Sequence, residues 1–498
     1  MTVPALALSS VRPSEIEADV LVVGVRTTPD GPTITSDDPA LVALSGSLAA
    51  IGVTGGTDEL RRIPWSGSAS SLALVGLGTS EPTQNDLRYA AGSAARQLTG
   101  VTSLAIALPV ATDAELSAVL EGAAIGAYAY TAYRVDSLDG TKTPASTITV
   151  LGSSPDGSRL LERATAVATA THTVRDLVNM PPSDLYPETL AAAAVDLAAE
   201  ASDVEVTVLD EAALEAGGFG GILGVGRGSA RPPRLVKVAY SPAGAAAHIA
   251  LVGKGITFDT GGLSLKPPVG MVGMKYDMTG AATTLAVVLA ASALALPVRL
   301  TAWMCIAENM PSGTATRPND VLRIRGGKTV ENLNSDAEGR LVMADGLVAA
   351  SEESPDAIID IATLTGAARV ALGNRYAGVM GDDELVGRVV ETGREVGEQF
   401  WQMPLPSEMR ALLNSDVADI ANVKPGNTAG GMLIAGIFLS EFVGSRGEGV
   451  DARRIPWAHL DIAGPANNEA GGFGYTGKGP TAVAVRTLLA LAENYARA

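Results

Sequence analysis

The sequence predicts an α/β fold made of two α/β domains, a smaller N-terminal one with a mixed sheet and a larger C-terminal one with a central mixed sheet flanked by helices. Three observations predict it. Short runs rich in Val, Ile and Leu alternate with helical patterns over most of the chain. That alternation is interrupted by one long helical pattern, Ser158–Asn179, which is stopped by Met180-Pro181-Pro182. Hydrophobic residues make up 47% of the 498 positions, enough to fill cores at roughly 150 residues per domain.

The elements follow in order. Asp19–Arg26, Ser71–Gly78, Ser103–Pro109 and Thr147–Gly152 have the apolar run length of buried strands. Asp86–Leu98 and Asp113–Arg134 carry helical periodicity between them. The organisation expected is therefore an N-terminal domain over 1–155, a connecting helix over 156–182, and a C-terminal domain over 183–498. Beyond the connector, Val204–Leu209, Leu235–Tyr240, Ile249–Val252, Arg299–Ala307 and Ala357–Thr363 read as strands, with helices at Leu190–Ala199 and Gly280–Leu296. The uncharged stretch Gly280–Val298 approaches the ~20 residues of a membrane span. It is mostly Ala with Thr283, Thr284 and Ser292, so a buried core helix is expected. Glu15, Glu17 and Asp19 interrupt the N-terminus and no basic region precedes them, which predicts no signal peptide and a cytoplasmic protein.

Composition excludes several chemistries. Lys and Arg total 36 against 54 Asp and Glu, a net charge of −18, and that field repels nucleic acid and anionic membrane surfaces. A single cysteine, Cys305, forbids an internal disulfide or a Cys-rich metal site. The histidines are His172, His248 and His459; there is no His-Glu-x-x-His helix and no Gly-x-Ser-x-Gly elbow. Gly327-Lys328-Thr329 fails as a phosphate loop, because Leu322 stands where the spacing requires glycine.

Two segments concentrate charge beside apolar strands. One runs Val252-Gly253-Lys254-Gly255-Ile256-Thr257-Phe258-Asp259-Thr260-Gly261-Gly262 and on to Lys266 and Asp277; the other is Asn334-Ser335-Asp336-Ala337-Glu338-Gly339-Arg340-Leu341. The charges are expected at strand ends. Asp336, Glu338 and Arg340 are spaced i, i+2, i+4, which in an extended segment sends all three to one side. Carboxylates so crowded need a cation between them, and Asp259, Asp277, Asp336 and Glu338 are enough to bridge two divalent ions. A helix is expected from near Leu341, its N-terminus favouring an anion near Arg340.

Asn334–Leu341 resembles the signature octapeptide of the leucyl aminopeptidases, dinuclear metallopeptidases, with Ser335 where Thr is usual. The resemblance runs from about His172 to Leu489 and includes Arg175–Pro182, Lys275–Ala282, Asp360–Gly366 and Trp457–Gly464. It implies one metal held by the Lys254 amine with Asp259, Asp277 and Glu338, and a second held by Asp259, Asp336 and Glu338, with Mn2+ or Zn2+ as the ions. It also implies a protonated Lys266 that stabilises the oxyanion, and an Arg340 that holds bicarbonate as a proton relay. Met274, Thr363, Leu364 and Gly366 would line a pocket for leucine-like side chains, with peptides as substrates, a homohexamer (a dimer of trimers) as the assembly, and the N-terminal domain regulatory or assembling. Ala482, in Lys478-Gly479-Pro480-Thr481-Ala482, departs from the usual glycine. His459 reads as a buried, hydrogen-bonded structural residue.

Overall fold

In the computed structural model, which describes residues 3–447 and 449–497, the chain forms two compact units. The first comprises Met1–His172 with Asn468–Gly479, and the second Thr173–Asn467 with Pro480–Ala498.

The first unit holds a mixed sheet with strands in the spatial order Ala5–Ser9, Thr147–Leu151, Ser103–Ala107, Val20–Thr28, Ser71–Gly76 and Leu60–Pro64; Gly31–Ile34 pairs with Val20–Thr28. The four apolar runs read from the sequence are its parallel centre. Two helices, Gln84–Gln97 and Asp113–Gly126, each begin with a threonine capping box, Thr83/Asp86 and Thr112/Glu115. The second helix ends eight residues before the expected Arg134. Gly126 lies so close to the first helix that a Cβ there would be 2.3 Å from Gly92 O. Beyond it the chain has no apolar face to bury, and Tyr133, Val135 and Leu138 are exposed. Asn468–Gly479, which the sequence grouped with the C-terminal domain, packs within this unit: Arg96 Nε donates to Gly474 O at 2.8 Å, and Gly474 N to Asp58 Oδ1 at 3.0 Å.

The second unit is built on eight strands: β1 (Val204–Leu209), β2 (Arg234–Tyr240), β3 (His248–Asp259), β4 (Arg299–Asn309), β5 (Ala357–Ala362), β6 (Ala377–Gly381), β7 (Phe400–Gln402) and β8 (Trp457–Asp461). Their spatial order is β7-β6-β8-β5-β3-β4-β2-β1. The centre β8-β5-β3-β4 is parallel, and antiparallel pairs flank it. Helices α1 (Thr279–Ala293) and α2 (Gly339–Glu352) bury most of their residues on this sheet. No described helix is long and apolar enough to cross a membrane, and α1 is the core helix expected of Gly280–Val298.

Strand β3 corrects the sequence reading. It runs seven residues past Val252, so Lys254 stands in mid-strand rather than at a strand end. Its glycines masked the strand pattern, and the packing explains Gly253: a Cβ there would lie 2.6 Å from Ala281 Cα, and from the helix side a Cβ on Gly280 would lie 2.1 Å from Ile361 O. Helix α1 can therefore lie directly on β3 and β5, which brings the turn before it, with Asp277, against Lys254.

Candidate metal centre

Each charged side chain is delivered by a different local device. Lys254 projects from β3, is 3% exposed, and reaches three partners. Its Nζ lies 2.8 Å from Asp277 Oδ1, 2.9 Å from Glu338 Oε1, and donates to Thr363 O at 3.2 Å. Room for it comes from Gly339, where a Cβ would lie 2.5 Å from Lys254 Cε. Gly339→Ala is therefore expected to displace the lysine and lower kcat/KM by about 100-fold, since misplacements near 1 Å carry that cost. Steady-state kinetics beside an unchanged circular dichroism spectrum would check it.

Asp259 closes β3. Its Oδ1 accepts from Asn309 Nδ2 and from Gly261 N, each at 2.8 Å, and its Oδ2 lies 2.8 Å from Lys266 Nζ. Lys266 also pairs with Asp336. Gly261 has φ 86°, a left-handed conformation that favours glycine, and this tight turn folds the Lys266 segment back over the site.

The octapeptide is not extended, the conformation in which its i, i+2, i+4 spacing would send all three charges to one side. Asn334 Oδ1 accepts from Asp336 N at 2.9 Å and Asn334 O accepts from Ala337 N, so the segment turns at Ser335–Asp336 and enters α2 at Gly339. Asparagine turns the backbone through its own side chain, and that local preference outweighs the alternation. Asp336 and Glu338 still converge: ligand oxygens of Asp259, Asp336 and Glu338 lie within 4.8 Å of one another. Ser335, the departure from threonine, keeps the hydroxyl role, donating to Gly261 O at 2.7 Å and accepting from Ser264 N at 2.8 Å.

The electrostatics of the cluster favour a cation. Burial and the neighbouring Glu338 push Asp259 up from the usual carboxylate range. Burial does the same to Asp277 and Asp336 against the pull of the lysines. Glu338 alone is held low: burial raises it, but Lys254 and Lys266 outweigh that. Burial opposes the charge on Lys254, yet Asp277, Glu338 and Asp259 hold its proton more firmly than usual. Four carboxylates against two ammonium groups leave an excess of negative charge in a buried place. Asp277 Oδ2 and Glu338 Oε2 are buried without a hydrogen bond; Asp277 Oδ2 lies 2.8 Å from Lys254 Nζ, but only Oδ1 is aligned for the bond. An oxygen-rich, partly orphaned donor set with one amine fits divalent ions such as Mn2+ or Zn2+, and the ions would neutralise the carboxylates that now hold the Lys254 proton.

Arg340 lies in the first turn of α2, where burial lowers its pKa to about 10 against the opposing charges of Glu338 and Asp461. Its Nη1 donates to Asn422 O at 2.7 Å, and its Nε is buried without an acceptor, a donor arrangement that fits a small anion. Among the pocket candidates, Thr363 is drawn into the cluster: its hydroxyl donates to Asp277 Oδ1 at 2.7 Å. Leu364 packs on the core of this unit. Gly366 is exposed at the start of α3 (Gly366–Leu372), and Met274 is half-buried at the head of the turn bearing Asp277.

Sequence reasoning missed Asn309, Asn422 and Asp461, which hold the site residues from behind. The available signal was a polar residue at the end of an apolar strand, as in Glu308-Asn309 and Leu460-Asp461. His459, expected to be structural, is fully buried with Nδ1 2.5 Å from Asp360 Oδ1.

Comparison with known proteins gives a consistent result. Residues 172–489 match the model of the cytosol aminopeptidase family, catalytic domain, and residues 37–137 that of the family's N-terminal domain. A "Probable cytosol aminopeptidase" of Clavibacter michiganensis subsp. michiganensis is 62% identical, with 100% of each chain covered. One from Leifsonia xyli subsp. xyli is 60% identical over 99% of each. Among solved structures, the bottromycin maturation enzyme BotP in complex with Mn superposes with a TM-score of 0.84 at 36% identity, covering 96% of this chain and 100% of that one. A mutant of tomato leucine aminopeptidase gives 0.86 at 28% identity, covering 99% and 97%. With both domain models matched in order and relatives aligned end to end, the chain belongs to the cytosol aminopeptidase family and is a metal-dependent aminopeptidase.

Proposed function

We propose that the chain releases leucine-like N-terminal residues from peptides, using two divalent ions at the Lys254 cluster. The observation that carries this reading is the buried set of Lys254, Asp259, Asp277, Asp336 and Glu338, whose carboxylates exceed its ammonium groups and leave oxygens without donors. One ion would be held by Lys254, Asp259, Asp277 and Glu338, the other by Asp259, Asp336 and Glu338. When bound, such ions supply Lewis acidity, lowering the pKa of a water toward neutrality and polarising a carbonyl.

The chain's own groups do the rest. Lys266 carries a firmly held proton: burial opposes it, but Asp259 and Glu338 outweigh the burial. It is thus an ammonium able to donate to the oxygen that gains charge as the peptide carbonyl is attacked. Arg340 would hold bicarbonate, which supplies a proton acceptor in a site without a histidine base. A free α-amine suits the carboxylate-lined end of the site, which restricts cleavage to the first residue. Thr363, Leu364, Gly366 and Met274 would border the side chain removed. Residues 1–155 are assigned to regulation or assembly, 156–182 to the connector and 183–498, apart from the Asn468–Gly479 piece that packs in the first unit, to catalysis, in a cytoplasmic homohexamer whose size sedimentation would measure.

Metal analysis of the purified protein is expected to give two divalent ions per chain. Chelation is expected to abolish hydrolysis of leucine p-nitroanilide, and Mn2+ or Zn2+ to restore it. Hydrolysis of p-nitrophenyl phosphate instead would replace the peptidase reading with a phosphoesterase one.

A further inference from the structure

We propose that Asp461 is a positioning residue for catalysis, fixing the Thr363–Gly366 segment and, through Thr363, the Lys254–Asp277 pair. The inference deepens the function proposed above and rests on it. Asp461 ends β8 in register with Ala362, the last residue of β5, so the chain leaving β5 passes directly over its carboxylate. Asp461 is fully buried. Its Oδ1 accepts from Leu364 N at 3.2 Å, Thr365 N at 3.4 Å and Ala463 N at 3.2 Å, and its Oδ2 from the Thr365 hydroxyl at 2.7 Å. The same hydroxyl accepts from Ala368 N at 3.0 Å, which starts α3.

Only the Thr363–Leu364 linkage separates these contacts from the cluster. On its other side Thr363 accepts from Lys254 through its carbonyl and donates to Asp277 through its hydroxyl. The segment is thus tied at one end to Asp461 and at the other to two proposed metal ligands. A shift at one end is transmitted to the other with little backbone freedom to absorb it. Each of these hydrogen bonds reaches Asp461 from a donor, so an acceptor at both oxygens is what the place requires. On the same strand His459, two residues earlier and facing the same side, is bonded to Asp360, to which Trp457 Nε1 also donates at 2.7 Å.

The test compares Asp461→Asn, Thr365→Val, Thr365→Ser and the double variant Asp461→Asn/Thr365→Val in the metal-loaded enzyme. Asp461→Asn and Thr365→Val are each expected to lower kcat/KM for leucine p-nitroanilide by about tenfold or more, and to change the leucine-to-alanine preference. Both should keep the wild-type metal content. Thr365→Ser, which retains the hydroxyl, is expected to remain near wild type, and the double variant to be no worse than the poorer single one, because both remove the same contact. Unchanged kinetics and preference in Asp461→Asn, or additive losses that follow only a lowered Tm, would overturn the proposal. Should Asp461→Asn not accumulate, the Thr365→Val and Thr365→Ser pair interrogates the same bond. Absence of aminopeptidase activity in the wild type would instead overturn the proposed function.

Discussion

Asp259→Ala is expected to abolish metal binding and to lower kcat/KM by about 10⁴-fold or more, on the order of 5.5 kcal/mol of lost transition-state stabilisation. In the proposed ligand set Asp259 is one of two carboxylates common to both ions, so its removal damages both sites. The structure also predicts what the substitution leaves intact. Asn309 Nδ2 keeps its bond to Ser335 O at 3.0 Å, and Gly261 remains in its left-handed turn. Stability should move the other way in the ion-free protein. Burial and Glu338 raise the pKa of Asp259 above its value in the unfolded chain. A carboxylate with a raised folded pKa destabilises the fold above its unfolded pKa, and so at neutral pH. Ion-free Asp259→Ala should therefore melt no lower than the ion-free wild type. Metal analysis, kinetics and melting curves with and without chelator measure all three, and an active variant with two ions would remove Asp259 from the site.

Lys266→Ala is expected to separate catalysis from metal binding. In the ion-free chain its ammonium contacts Asp259 and Asp336, the oxygens that cations would take. Neutralisation of those carboxylates would release the lysine from structural pairing and leave its proton for the substrate oxygen. Loss of one oxyanion donor costs about 10²–10³ in kcat. The variant should bind two ions, with KM little changed and kcat lowered by that factor. A variant that loses its metal would make Lys266 a structural counter-ion, and one with full kcat would exclude it from the oxyanion role.

Much of this site was legible because its charged residues sit in short, unusual strings. Lys254, Asp259, Lys266, Asp277, Asp336 and Glu338 could be named from two segments, and the structure brings all six together. What spacing could not give was the backbone beneath them. Gly253 and Gly255 hid the continuation of β3 through Lys254, since strand preference is carried by side chains that glycine lacks. The octapeptide reads as alternation, but Asn334 bends it into a turn, and side-chain capping is invisible to a periodicity argument. Asn309, Asn422 and Asp461 come from segments remote in sequence: the parallel register of β3, β4, β5 and β8 brings the ends bearing Asn309 and Asp461 together, and Asn422 arrives behind Ile420–Ala421, which pairs with Thr329–Glu331 in a separate small sheet. Helix Asp113–Gly126 ends short of its apparent periodicity because the residues beyond it, Tyr133, Val135 and Leu138 among them, are exposed rather than buried on a neighbour. Ala482, flagged as a departure from glycine, has φ 62°, so the backbone keeps the left-handed turn and alanine bears the strain.

The return of Asn468–Gly479 to the first unit bears on how such chains can be rearranged by recombination. The N-terminal unit is discontinuous in the gene: its last strand-forming stretch is followed by some three hundred codons before the piece that supplies Gly474 to Arg96 and Asp58. A single crossover in the connecting helix would join one parent's Arg96 and Asp58 to another parent's Gly474 loop. Exchange of this unit between relatives therefore needs two junctions, or parents whose loops already match, and the two parts of the chain are bound to diverge together.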